Sequence, residues 1–328
     1  MENGGLIWQN DLQKQFRVPD GFFGVGCSPI LDGDRLIVLV GGQPNSGVVA
    51  FNRNDGSILW EAGGKATWDG VVDTNTKKPY EWTSSEMVVS YSSPIIATIH
   101  KQRHLLCLMR QGLVSLDPET GMENFHYWFR ARVNESVNAA RPVVVNDEIL
   151  LSAAYRVGSA LLRVNADGQS YEEVWRDKRN LLAHWSTPIH WDGFVYGFSG
   201  RHENEGELRC IRLSDGKVMW TTPGFEGNLQ DFSRDRETQQ IVNRKTGKIV
   251  PFPYFGRGSL IQIGDRFVVL GERGTLAVVD INSAKFQERG RFSLSEIHYP
   301  AWAAPVISNG NLYLRSEDWL VCLDLKTD

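Results

Sequence analysis

Eight residues of this sequence combine useful chemistry with a shared position: Tyr91, Asn138, Arg141, His184, Trp185, Arg257, Tyr299 and Trp302. They lie in SYSSP, NAARP, AHWSTP, GRGSL and YPAWAAP, short segments that each lead into a β-type run. In the equivalent segment FGVGCSP the residues after Phe23 are small. Aromatic faces mixed with amide, imidazole and guanidinium groups suit carbohydrates, peptides or small polar anions. Trp185, Trp302, His184, Arg141 and Arg257 are therefore expected to surround a polar, locally cationic pocket. It would favour an anionic or hydroxyl-rich ligand. The competing expectation is that these side chains fill a channel and satisfy one another.

Other chemistry finds no support in the sequence. There is no G-x-S-x-G elbow, no P-loop and no H-E-x-x-H, so no catalytic residue is predicted. The seven histidines are scattered, and His100 and His104 are expected in a solvated turn, KQRH. No C-x-x-C or adjacent cysteine pair occurs among Cys27, Cys107, Cys210 and Cys322, so all four are read as free structural thiols. No metal site and no cofactor is expected. A net charge of −4 gives no electrostatic footprint for nucleic acid. No apolar run is long enough to span a bilayer.

The elements that must position these residues are legible as a repeat. An apolar strand, a turn of the Asp/Asn-Gly type and an aromatic residue recur through the chain. The copies are GVVAFNRNDGSILW, GLVSLDPETGMENF, ALLRVNADGQSYEEVW, ELRCIRLSDGKVMW, the degraded TLAVVDINSAKF and the truncated WLVCLDLKTD. Upstream of each lies a second pair of strands joined by a tight turn such as Asp192-Gly193 or Asn309-Gly310. Pro29, Pro94, Pro142, Pro188 and Pro305 stand at the start of the first strand, where no ladder donor is needed, and Leu260 replaces Pro once. One repeat thus reads as a four-stranded antiparallel blade, and repetition of blades means a β-propeller. The aromatics Trp8, Trp60, Trp175 and Trp220 are expected to dock on the next blade.

Six blades are counted in a single all-β domain over 1–328. Two long polar segments, 63–87 and 223–256, interrupt the count, and QQIVNRKTGKIV within the second reads as a hairpin. Long loops on a rigid scaffold tend to carry function. The last copy stops before its turn Gly, while Gly4 and Trp8 repeat the spacing of Gly56–Trp60 and Gly216–Trp220. Leu6-Ile7-Trp8 is therefore expected to complete the blade at 298–328 and close a ring.

The turn-plus-Trp repeat, the S/T-P strand starts and the stretches VGCSPILDGDRLIVLVGG, HWSTPIHWDGFVYGFSG and GRGSLIQIGDRFVVLGERGTLAVVD resemble the PQQ-like (quinoprotein-type) β-propeller repeat proteins. The resemblance is to the members similar to the outer-membrane assembly factor BamB, in a planctomycete-style branch. It implies a non-catalytic binding or scaffolding propeller, a ring of about eight blades of which six are present here, and export to the periplasm. The chain itself shows no signal peptide, which leaves a cytoplasmic address open. A monomer with a protein, peptide, carbohydrate or polar small-molecule partner is expected. An enzyme using the channel mouth, for example on sugars, is the alternative. A true quinoprotein oxidoreductase ranks below both, because the adjacent cysteines and calcium ligands of that group have no counterpart.

Overall fold

The computed structural model describes residues 4–18, 26–65, 67–72, 76–81, 90–131, 136–225, 228–238 and 240–326. The chain divides into two compact units, Met1–Val174 and Trp175–Asp328.

In the first unit a short helix, α1 (Leu12–Phe16), precedes the first blade. That blade joins β1 (Ile30–Asp32), β2 (Arg35–Leu39), β3 (Val48–Asn52) and β4 (Ile58–Ala62) in sequence order. A hairpin of β5 (Thr67–Val72) and β6 (Pro79–Glu81) occupies the first interruption. The second blade has β7 (Ile95–Ile99), β8 (Gln102–Leu108), β9 (Gly112–Leu116) and β10 (Glu123–Trp128). The third has β11 (Val143–Val145), β12 (Glu148–Ala153), β13 (Gly158–Val164) and β14 (Tyr171–Asp177), the last spanning the division between units.

The second unit continues with β15 (Ile189–Trp191), β16 (Phe194–Ser199), β17 (Glu207–Arg212) and β18 (Val218–Thr222). The second interruption is a small sheet of β19 (Phe232–Arg234), β20 (Ile241–Asn243) and β21 (Ile249–Val250). Its last two strands are the hairpin read from QQIVNRKTGKIV, with Ile241 opposite Val250. The fifth blade has β22 (Ser259–Ile263), β23 (Arg266–Leu270), β24 (Thr275–Asp280) and β25 (Glu288–Ser293). The sixth has only β26 (Val306–Ser308), β27 (Asn311–Arg315) and β28 (Leu320–Asp324).

Local chemistry explains the blade pattern. Each of the five prolines immediately precedes the first strand of its blade, where a missing N–H costs nothing. Leu260 restores that donor, and β22 starts two residues earlier in the repeat, with Ser259 opposite Leu270. Asp192-Gly193 and Asn309-Gly310 both take positive φ, the two-residue turn that matches strand twist. The central strands are buried: β9 and most of β12 and β16 lie inside, forming apolar clusters between neighbouring sheets.

The aromatics dock on the following turn. Trp8 donates from Nε1 to the Arg53 carbonyl at 2.8 Å, Trp175 to Leu213 at 2.7 Å and Trp220 to Asn282 at 2.8 Å. Trp60 lies against Gly121, where a Cβ would come within 2.6 Å of its ring. The turn glycine thus serves two needs, a positive φ and room for an indole.

Three expectations require correction. Leu6-Ile7-Trp8 forms no strand, and the sixth blade has three strands, so the predicted closing strand is not formed. Trp8 nevertheless packs on the Arg53–Gly56 turn, as the other indoles pack on theirs. Cys322 is exposed whereas its counterpart Cys210 is buried, because among the described residues no fourth strand covers β28. His104 lies not in the turn but in β8, fully buried, with Nδ1 2.9 Å from Ser115 Oγ. Only His100 occupies the turn, at positive φ.

Candidate functional site

The sequence-predicted residues fall into two groups by unit. Tyr91, Asn138 and Arg141 belong to the first. Asn138 is buried, and its amide donates to the Met109 carbonyl at 2.8 Å and the Phe129 carbonyl at 3.1 Å. Its own carbonyl accepts from the Tyr91 and Ser92 N–H groups. It braces the segment ahead of β11 rather than presenting an open amide. Tyr91 is half-buried, and its ring lies where a Cβ at Gly26 would sit at 3.1 Å. Arg141 is exposed.

The other five, His184, Trp185, Arg257, Tyr299 and Trp302, belong to the second unit and converge. The reason is topological. In an antiparallel blade the start of the first strand and the turn between the second and third lie at the same end. The segments before β15, β22 and β26 therefore meet the turns after β16 and β23. Glu203 comes from the first of these turns, and Glu272 and Arg273 from the second.

Glu272 organises the cluster. It is fully buried, and its carboxylate accepts the Arg257 backbone N–H at 2.7 Å and the guanidinium at 2.8 Å. It also accepts Trp302 Nε1 at 3.1 Å. Gly256, at φ +63, makes room for it, since a Cβ there would stand 2.5 Å from Glu272 Oε1. A buried carboxylate requires such partners, because desolvation otherwise disfavours its charge. Arg257 in turn lies over Trp185 at 4.6 Å and over Trp302 at 5.6 Å, and the two indoles are 5.6 Å apart.

A second pair extends the surface. Arg273 is bound to Glu203, with Nη2 2.7 Å from Oε2. Its guanidinium lies 4.9 Å from the Tyr299 ring and 5.0 Å from the Phe252 ring. Tyr299 meets Trp302 edge-on at 5.9 Å. Both rings remain open to solvent, at 43% and 46% exposure.

The expected cationic character is not found. Arg257 and Arg273 are each neutralised by a carboxylate. Burial, with Arg257 nearby, lowers the His184 pKa to about 4, so its imidazole is neutral at pH 7. The cluster is an aromatic surface stiffened by ion pairs.

The repeat pattern gave no hint of Glu272, Arg273, Glu203 and Phe252. The available signal was the charged pair Glu272-Arg273 in a turn whose end of the blade the topology already fixes.

With the geometry in hand, the family can be assigned. The family described as outer membrane protein assembly factor BamB matches residues 1–222. The chain belongs to the BamB family of PQQ-type repeat proteins. Among solved structures, BamB from Moraxella catarrhalis is similar at 14% identity with a TM-score of 0.54, over 90% of this chain and 67% of that one. That similarity, with the blades above, shows an all-β propeller fold. A europium-containing methanol dehydrogenase matches at 12% identity over 97% of this chain and 80% of that one, with a TM-score of 0.47. The computationally designed Ika8 protein matches at 10% identity over 93% and 98%, with a TM-score of 0.38. Both likenesses are too distant to bear on function. No curated protein matches the sequence.

The cysteines and docking tryptophans of this BamB-family chain have structural places. Its four cysteines are free and far apart in sequence, and Trp60, Trp175 and Trp220 are spent on turn docking. Among the described residues no three His, Cys, Asp or Glu side chains group as a metal site. No described helix is long and apolar enough to cross a membrane.

Proposed function

We propose that this BamB-family propeller is a non-catalytic binding module that holds a polypeptide partner on the Tyr299–Trp302 surface. The observation that carries the reading is the pair of exposed rings backed by arginines already neutralised by carboxylates. Tryptophan, tyrosine and arginine are enriched in interface hot spots, and the two aromatics bury large area at little entropic cost. Trp302 Nε1 is already bonded to Glu272, so its open face offers stacking rather than hydrogen bonding. The described arrangement places no activated nucleophile beside a base at this surface. The family description, an outer-membrane assembly factor, supports an assembly partner and a periplasmic setting.

A displayed random-peptide library selected on the wild-type protein tests the reading, with glycan-array binding as the parallel arm. Selected peptides should bind wild type at least about tenfold more tightly than Tyr299→Ala or Trp302→Ala, the scale of one hot-spot residue. Equal binding by these variants, or glycan binding with no peptide binding, would overturn it.

A further inference from the structure

The second interruption builds a cavity that no part of the proposed partner surface uses. It measures about 560 Å³ and opens between the segment 224–253 and the outer strand of the fifth blade. That volume lies within the range of about 300–1,000 Å³ typical of small-ligand sites. Its apolar walls are Phe225, Phe232, Val250, Pro251, Pro253 and Phe286, and Asn243, Glu288 and Arg291 supply the polar lining. Phe225 and Phe232 meet edge-on at 5.1 Å, and Phe286 is fixed from behind by Trp220 at 5.9 Å.

One residue holds the cavity open. Arg291 donates to the Pro253 carbonyl at 2.8 Å and to the Gly224 carbonyl, which ties both ends of the inserted segment to β25. Its Nε and Nη2 also bind the two oxygens of Glu288, at 2.9 and 2.6 Å. The strut is therefore neutral and its hydrogen bonds are spent internally. An anionic ligand would gain little from Arg291, and a cation little from Glu288. What remains for a guest is aromatic and proline surface beside the Asn243 side chain, whose Oδ1 already accepts the Lys245 and Thr246 N–H groups.

We infer that this cavity binds an uncharged aromatic ring, supplied by a free small molecule or by an aromatic side chain of a peptide. Aromatic rings favour offset-stacked or edge-to-face partners, so the Phe225, Phe232 and Phe286 rings that line this volume suit a further ring.

Saturation-transfer NMR on the full chain tests this with indole as the free-molecule probe and the peptide Ac-Gly-Gly-Trp-Gly-Gly-NH2 as the side-chain probe. At least one should bind saturably, and which one binds identifies the source. Phe232→Ala should weaken binding at least about tenfold, the scale of losing one well-packed aromatic contact. Val250→Trp, which fills the cavity while keeping its apolar character, should abolish binding with unchanged circular dichroism. Absence of binding by both probes would overturn the inference, as would undiminished binding to the Val250→Trp variant. So would equal affinity for indole-3-acetate or tryptamine, because the neutral strut predicts that added charge is penalised.

Discussion

Glu272 shows how one side chain can set the character of a surface. It is fully buried, yet it bonds the Arg257 backbone, the Arg257 guanidinium and the Trp302 indole. Removing its charge leaves Arg257 uncompensated between two tryptophans. Glu272→Gln should therefore cost about 3–5 kcal/mol, the usual penalty for breaking a buried pair on one side. Urea denaturation measures it, and the double change Glu272→Gln, Arg257→Met should recover most of the loss. His184 gives a second prediction. Its folded pKa, about 4, lies below the ordinary 6.5. The unfolded chain thus takes up the proton first, so the stability contributed by neutral His184 is complete above pH 6.5. It is lost as pH falls toward 4. Allowing for partial solvent exposure, the loss is about 1–3 kcal/mol. The stability difference between wild type and His184→Phe should be constant above pH 6.5 and shift against wild type as pH falls toward 4, which melting curves across that range measure.

At the scale of elements, turn glycine and docking indole act as one unit. Gly121 sits at φ +74, and a Cβ there would come within 2.6 Å of the Trp60 ring. Trp60→Ala should cost about 3–5 kcal/mol, as for other buried aromatics. Gly121→Ala should carry a backbone penalty of about 1–2 kcal/mol and a further cost for displacing the ring. In the Trp60→Ala background only the backbone part should survive. A double-mutant cycle should therefore show coupling of more than about 0.5 kcal/mol, whereas additive losses would mean that the ring is not seated on the turn. This level was the most legible from sequence. Proline before the first strand, Asn-Gly and Asp-Gly in the tight turns, and Gly-x-x-x-Trp in the outer strand each enforce structure within a few residues. Glu272 was not legible for the opposite reason. Its partners Arg257 and Trp302 are 15 and 30 residues away and meet it only through blade topology. Likewise, Asn138 looked like an open amide, because nothing local shows that two backbone carbonyls consume it.

At the scale of the whole molecule, the sixth blade is where sequence and structure part. The repeat asks for an outer strand beside β28, and Cys322 occupies the place that is buried as Ala50 and Cys210 elsewhere. In those blades an outer-strand tryptophan lies opposite: Ala50 pairs with Trp60, and Cys210 with Trp220. Here Cys322, Leu320 and Trp319 are exposed, and the β28 edge carries no partner strand among the described residues. Thiol reactivity reads this directly. Burial raises the Cys107 thiol pKa far above its ordinary value and that of Cys210 to about 11, so both should resist a disulfide reagent in the native state. Cys322 should react first, as a single fast thiol in the folded protein, with Cys27 slower and the two buried thiols following only on unfolding. A Cys322 as slow as Cys210 would mean that a fourth strand covers β28 in solution, restoring the closure that the Gly4–Trp8 spacing predicts. In that case Trp8→Ala should release the thiol, because the strand that covers it would lose its anchor on the Arg53–Gly56 turn.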